Sequence, residues 1–222
     1  MIAAITITTS AMADPRAEAH GDEQGRDRFH NPRDLDGYIA SQEEPARAAW
    51  QKPDQIIDTL ALRPGQTVCD IGAGPGYFAL RAAKRVGETG RVFAVDVDPR
   101  ILDVLRTRIE TAGVRNITPV LGLGADPLLP AATCDLILIV DVYHHFPDRP
   151  RYLRGLVPLL RKGGRMAAID WHKRKTPIGP PPEHRVSRDE FLSDAGKAGL
   201  SILAEPTFLP NQYFLILAPT PR

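Results

Sequence analysis

The chain is poor in cysteine, has no excess of charge of one sign and contains no long apolar run, and each shortage removes a class of function. Cysteine occurs twice, at Cys69 and Cys134, each inside an apolar stretch. Neither has the paired spacing of a zinc site or a redox couple, so a disulfide framework is excluded and two buried free thiols are expected. The 28 Lys and Arg nearly cancel the 27 Asp and Glu, leaving a formal charge of +1. No field of one sign covers such a molecule to attract nucleic acid or an anionic bilayer. A helix spanning a membrane needs about 18 or more consecutive apolar residues, and none occurs. Internal repeats are absent, and the only low-complexity feature is the proline cluster Pro180-Pro181-Pro182.

What is present is 222 residues, 43% hydrophobic and 25% charged, enough for one domain with a short appendage. Residues 1–13 are uncharged and end in Ala11-Met12-Ala13, which resembles the small-residue cleavage site of a secretory signal, although a positive segment before it is missing. The expected location is therefore cytoplasmic, with export as the alternative if 1–13 acts as a signal. Residues 14–32 are polar and mixed in charge and cannot bury enough to order themselves, so 1–32 is taken as a disordered or targeting tail. Apolar positions from Ala46 to Leu60 recur at helical spacing, with Pro53 suited to the first turn of a second segment, so 33–62 is expected to be a helical lid.

From 63 to 219 strand and helix patterns alternate. Strands are expected at 67–71, 91–95, 117–121, 135–140, 165–169, 201–204 and 213–217, and helices at 77–86, 99–112 and 150–160. The helix at 99 is opened by Asp98 as N-cap with Pro99 next, and a further one by the capping box Ser187-Arg188-Asp189-Glu190. Leu136-Ile137-Leu138-Ile139-Val140 is the continuous apolar run of a strand covered on both faces. The sum is α/β: an open, doubly wound, Rossmann-like sheet with helices on both faces.

Chemistry concentrates where the first strand turns into the first helix, at Asp70-Ile71-Gly72-Ala73-Gly74-Pro75-Gly76-Tyr77. Glycines there let the backbone pass close under a ligand at the carboxyl edge of the sheet. Tyr77 stands where a dinucleotide fingerprint needs a small residue, which disfavours a pyrophosphate ligand. The second strand ends at Asp96, placed to accept both hydroxyls of a ribose, while Asp98 already serves as helix cap.

Together with Leu129-Pro130, Cys134-Asp135-Leu136 and Leu160-Arg161-Lys162-Gly163-Gly164-Arg165, these motifs resemble the class I S-adenosylmethionine-dependent methyltransferases over residues 45–217, in particular their small-molecule branch. The resemblance implies a seven-stranded sheet in the order 3-2-1-4-5-7-6 with strand 7 antiparallel, and S-adenosyl-L-methionine as cofactor. It implies that Asp70, Gly72, Ala73, Gly74 and Gly76 lie under the methionine part of that cofactor and that Asp96 and Val97 lie at the ribose. The adenine contact is expected at Asp126 or a backbone group near it, because Gly124-Ala125-Asp126 replaces the commoner Gly-Asp-Ala. Asp141 is expected to hold a backbone amide beneath the cofactor, and Tyr38, Trp50 and Gln51 to fold over its mouth.

The acceptor side falls after strands 4 and 5, at Asp141-Val142-Tyr143-His144-His145-Phe146 and Asp170-Trp171-His172. His144, His145, Asp170 and His172 are the candidates for catalysis, and the two adjacent histidines are expected to point apart. No metal-ligand spacing joins them, and no metal is expected. The segment 171–186, with Lys173-Arg174-Lys175, is expected to shape the acceptor pocket or to be a solvated basic loop. Two functions follow: a methyltransferase acting in line on a small-molecule acceptor, as monomer or homodimer, or a non-catalytic S-adenosylmethionine-binding protein. The acceptor atom stays open among oxygen, nitrogen, carbon, sulfur and arsenic.

Overall fold

The computed structural model describes residues 34–221. The stretch 1–13 and the tail read over 1–32 lie outside the described residues. Three short helices come first: α1 (Leu35–Glu43), α2 (Ala46–Gln51) and α3 (Pro53–Thr59). Asp34 caps α1 by accepting the amide of Gly37. Lys52, in the left-handed region at φ 49°, ends α2 and turns the chain so that Pro53 opens α3.

The sheet contains β1 (Thr67–Ile71), β2 (Arg91–Asp96), β3 (Ile117–Leu121), β4 (Cys134–Val140), β5 (Leu160–Trp171), β6 (Leu200–Ala204) and β7 (Gln212–Pro219). Its order is β3-β2-β1-β4-β5-β7-β6, as the resemblance implied. The first five strands run parallel, and β7 is antiparallel to both β5 and β6. Between them lie α4 (Ala79–Val86), α5 (Pro99–Thr111), α6 (Arg149–Leu156) and α7 (Arg188–Lys197). The caps behave as their chemistry requires: Asp98 accepts the amide of Arg100, and Ser187 and Glu190 close a reciprocal capping box.

Side chains alternate across the strands, so the sheet divides the core in two. Val68, Leu136, Leu138 and Ile169 pack on one side with α3, α4 and α5, while Ile71, Ile137, Ile139 and Leu215 pack on the other with α6 and α7. β5 is longer than its apolar run, because Leu160 still pairs with Cys134 across a register shift. The glycines at 163 and 164 disguise this, since glycine weakens a strand signal.

One expectation is corrected. Cys69 and Cys134 are joined in a disulfide, with Cα atoms 5.8 Å apart and both residues fully buried. β1 and β4 are sheet neighbours and present both cysteines to the same core layer, a proximity hidden by a sequence separation of 65. Among the described residues, no helix is long and apolar enough to cross a membrane.

Candidate functional site

A crevice of about 500 Å³ opens over the carboxyl ends of β1, β2 and β4. Its floor is the turn after β1. The amides of Gly72 and Ala73 both donate to the Val95 carbonyl at 2.8 and 2.9 Å, tying the turn to β2. Gly72 has φ +71°, and a Cβ there would lie 2.3 Å from Cγ2 of Val142, so β4 leaves no room for a side chain. Gly74 has φ +55°, and a Cβ there would meet only the Tyr38 hydroxyl, 3.5 Å away, so this position faces open space beneath α1. Gly76 packs toward Leu105 and is not part of the lining.

Asp70, Asp96 and Val97 line the same crevice. Asp96 accepts the Gly74 amide at 2.9 Å and the Asp98 amide at 3.1 Å, and burial pushes its carboxyl up against those stabilising bonds. Asp70 is buried with one carboxylate oxygen, Oδ2, lacking any partner. Burial first, and Asp96 second, push its pKa up to about 7. An orphaned carboxylate oxygen beside an open glycine cradle is the complement of a cationic, nucleotide-like ligand. Asp126 lies outside the lining: its carboxylate accepts the Leu128 amide at 2.8 Å, while Leu123 and Gly124 from the same loop face the crevice.

Asp141 sits just past β4 in the left-handed region at φ 58°. It holds side-chain amides rather than a backbone amide. Gln51 Nε2 donates to Oδ2 at 2.7 Å, Gln212 Nε2 donates to Oδ1, and Arg47 approaches to 3.8 Å. Burial raises the Asp141 carboxyl to about 6, with Asp170 adding to the shift. Arg47 is itself buried, donates to Gln51 Oε1 at 2.5 Å and lies over the Tyr77 ring at 4.1 Å from its centroid. Nothing in the sequence singled out Arg47 or Gln212, because their partners are up to 94 and 161 positions away.

At the far end of the crevice a 3₁₀ turn (Tyr143–His145) follows β4. It packs the rings of His144 and His145 side by side, with centroids 4.0 Å apart, and both residues line the crevice. The expectation that they point apart is therefore corrected, because a 3₁₀ turn does not alternate its side chains as a strand does. His144 Nδ1 lies 2.8 and 3.0 Å from the two oxygens of Asp170, and its amide donates to the same carboxylate at 3.2 Å. Asp170 is fully buried at the end of β5 and also accepts the Trp171 amide at 2.7 Å. With Nδ1 held by a carboxylate, Nε2 is the nitrogen left to accept a proton. Burial works against the imidazolium, yet the hydrogen bond and charge of Asp170, with Asp141 behind it, carry the His144 pKa above the ordinary value. His172 is not in the lining. It lies edge-on to Tyr213, and burial and Arg174 lower its pKa.

The remaining wall is the segment between β5 and α7. The Arg185 guanidinium binds the carbonyls of Pro180, His172, Arg174 and Ile178 at 2.6 to 3.3 Å, fixing this segment against the Trp171 ring. Ile178, Gly179 and Pro180 reach the crevice, whereas Lys173 pairs with Glu190 and Arg174 with the Pro210 carbonyl. Among the described residues, no group of three or more His, Cys, Asp or Glu is placed to hold a metal ion.

Residues 68–164 match the family described as "Methyltransferase domain". A structure of an S-adenosylmethionine-dependent methyltransferase from Aquifex aeolicus superposes with a TM-score of 0.78 at 25% identity, covering 82% of this chain and 96% of that one. Over this stretch the chain is similar to class I S-adenosylmethionine-dependent methyltransferases. Similar curated proteins include the ubiquinone/menaquinone biosynthesis C-methyltransferase UbiE of Laribacter hongkongensis, 31% identical over 56% of this chain and 50% of that protein. They also include the nocamycin O-methyltransferase of Saccharothrix syringae, 30% identical over 57% of this chain and 43% of that protein. The chain spans about half the length of these relatives. S-adenosylmethionine is the cofactor on which the Aquifex aeolicus protein depends, and the glycine cradle, the orphaned Asp70 oxygen and Asp96 of this chain fit it.

Proposed function

We propose that the chain is an S-adenosylmethionine-dependent methyltransferase that moves a methyl group to a small-molecule acceptor by in-line displacement. The observation that carries this reading is one continuous crevice with a glycine cradle and two carboxylates at one end and a carboxylate-held histidine at the other. When bound, the cofactor supplies an activated methyl on a sulfonium. The residues of the chain do the rest. Asp70 accepts the cofactor's ammonium, Asp96 its ribose hydroxyls, and the backbone at Leu123 and Gly124 meets the adenine. Tyr38 on α1 and Arg47 on α2 close over the cradle, so that 33–62 acts as the lid. Holding acceptor and methyl in line at about 3 to 3.5 Å supplies roughly 7 to 11 kcal/mol of the barrier reduction. His144 takes the acceptor's proton, Asp170 positions it, and His145 lines the same pocket. Disulfides persist in oxidising compartments and are rare in the reducing cytoplasm, so the Cys69–Cys134 bond favours the exported alternative.

The non-catalytic reading would leave the cradle without a use for the His144–Asp170 pair. Calorimetric titration with S-adenosylmethionine, followed by incubation with methyl-labelled cofactor and a metabolite extract, separates the two. Binding with label transferred to a small molecule is expected. Binding without transfer to any compound would favour the non-catalytic protein, and absence of binding would overturn both. Gly74→Val is the control: a β-branched residue at positive φ in the cradle abolishes binding while the far-UV circular dichroism stays near wild type.

A further inference from the structure

We infer that the acceptor is a phenol, docked with its O–H on His144 Nε2 and its ring against Trp50 and Phe146, and methylated on oxygen. The inference rests on the methyltransferase reading above and adds the class of acceptor. Two features of the crevice carry it.

The first is the buried dyad. Asp170 is fully buried and takes both the side chain and the amide of His144, so the imidazole is fixed through Nδ1 in a residue that lines the crevice. Such a base is useful only to an acceptor that must lose a proton as it attacks. A carboxylate arrives already ionised and leaves the base no proton to take. An amine attacks through its lone pair and sheds its proton afterwards. An aliphatic alcohol is a far weaker acid than a phenol, so a histidine base draws its proton less readily. A phenol, with a pKa near 10 in the manner of tyrosine, lies within reach of a histidine base.

The second is the wall. Trp50, Phe146 and Ile178 are half-buried and line the crevice beside His144. Trp50 is braced against Trp171 with ring centroids 5.0 Å apart, and the 178–180 segment is fixed by the four carbonyls that Arg185 binds. This wall is preformed and apolar, which suits an aromatic ring better than a chain bearing several charges.

The step balances. The phenol O–H bond breaks, with its proton going to Nε2. The oxygen pair forms the new O–CH3 bond as the methyl–sulfur bond breaks, and that bond's electron pair stays on sulfur to give the neutral thioether. The imidazolium returns the proton to solvent after product leaves.

The test uses the full chain, once calorimetry has established cofactor binding. Phenols graded in acidity, from phenol itself to 2,4-dinitrophenol, which is ionised at neutral pH, are offered beside benzoate and aniline, and products are identified by NMR. Methyl ethers of the phenols are expected, with neither methyl benzoate nor N-methylaniline. His144→Asn should slow the least acidic phenols by about 10² to 10⁴ and the ionised one far less, because the base has no proton to remove from it. A merely structural role for His144 would slow every phenol alike, and that result would overturn the inference. So would methylation on a ring carbon, preferred methylation of benzoate or aniline, or cofactor binding with no phenol methylated. Loss of cofactor binding itself would instead overturn the methyltransferase reading on which this one stands.

Discussion

At the scale of single residues, two acids two positions apart divide the labour at the end of β2. Asp98 caps α5 and is paired with Arg100, whereas Asp96 points back to the glycine turn. Charge-assisted hydrogen bonds are worth about 1.5 to 3 kcal/mol, so Asp96→Ala should weaken S-adenosylmethionine roughly 10- to 150-fold by calorimetry. Asp98→Ala should cost about 0.5 to 2 kcal/mol of stability and leave the cofactor constant nearly unchanged. The opposite ranking would remove Asp96 from the ribose. His144 supplies a second prediction. It faces Asp170 and Asp141, which hold its proton, and Arg185, which opposes it, with burial working against the charge; the net effect is a raised pKa. A base must be neutral to act, so the acid limb of the rate profile should lie above pH 6.5, the usual histidine value. Asp170→Asn removes the largest upward contribution and should move that limb down, a shift that loss of packing alone would not give. The positions of Asp96, Asp98 and His144 were legible in the sequence because each sits at a local landmark, a strand end or a helix cap, whereas the partners Gly74 and Asp170 lie 22 and 26 positions away.

At the scale of elements the sequence was silent where pairing is distant. Asp141 was visible as the residue after β4, but its partners Gln51 and Gln212 come from α2 and β7, and no local pattern announces them. The same holds for Arg185, whose carbonyl partners become neighbours only when the segment after β5 folds back on itself. Cys69 and Cys134 looked like two ordinary apolar strand residues, and only the adjacency of β1 and β4 reveals the bond. A cross-link closing 65 positions restricts the unfolded chain by about 4 kcal/mol in the loop-entropy treatment. Reduction under denaturing conditions, or the double variant Cys69→Ala/Cys134→Ala, should lower the urea midpoint accordingly. Intact-mass analysis with and without alkylation should find no free thiol in the native protein; two alkylated cysteines would show the bond unformed.

For the whole molecule, the strand order places every ionisable group discussed here at one edge of the sheet, and this couples cofactor binding to protons. Asp70 and Asp141 are carboxylates with folded pKa values of about 7 and about 6, held up chiefly by burial. An acid whose pKa is raised on folding binds more protons folded than unfolded, so near-neutral pH finds the empty crevice partly protonated, and its contribution to stability falls as pH rises through that window. Placing the cofactor's ammonium beside the unpartnered oxygen of Asp70 favours the ionised carboxylate and reverses the shift. Binding must then release a proton, and affinity must rise with pH up to about 7 and flatten above it. Calorimetry at pH 6.5 in buffers of different ionisation enthalpy would measure the release directly. Asp70→Asn cannot hold the proton, so it should bind more weakly at neutral pH while losing most of the pH dependence. The same proton release in that variant, or a flat affinity profile in the native chain, would move the ammonium away from Asp70 and require another cation-binding carboxylate at the turn.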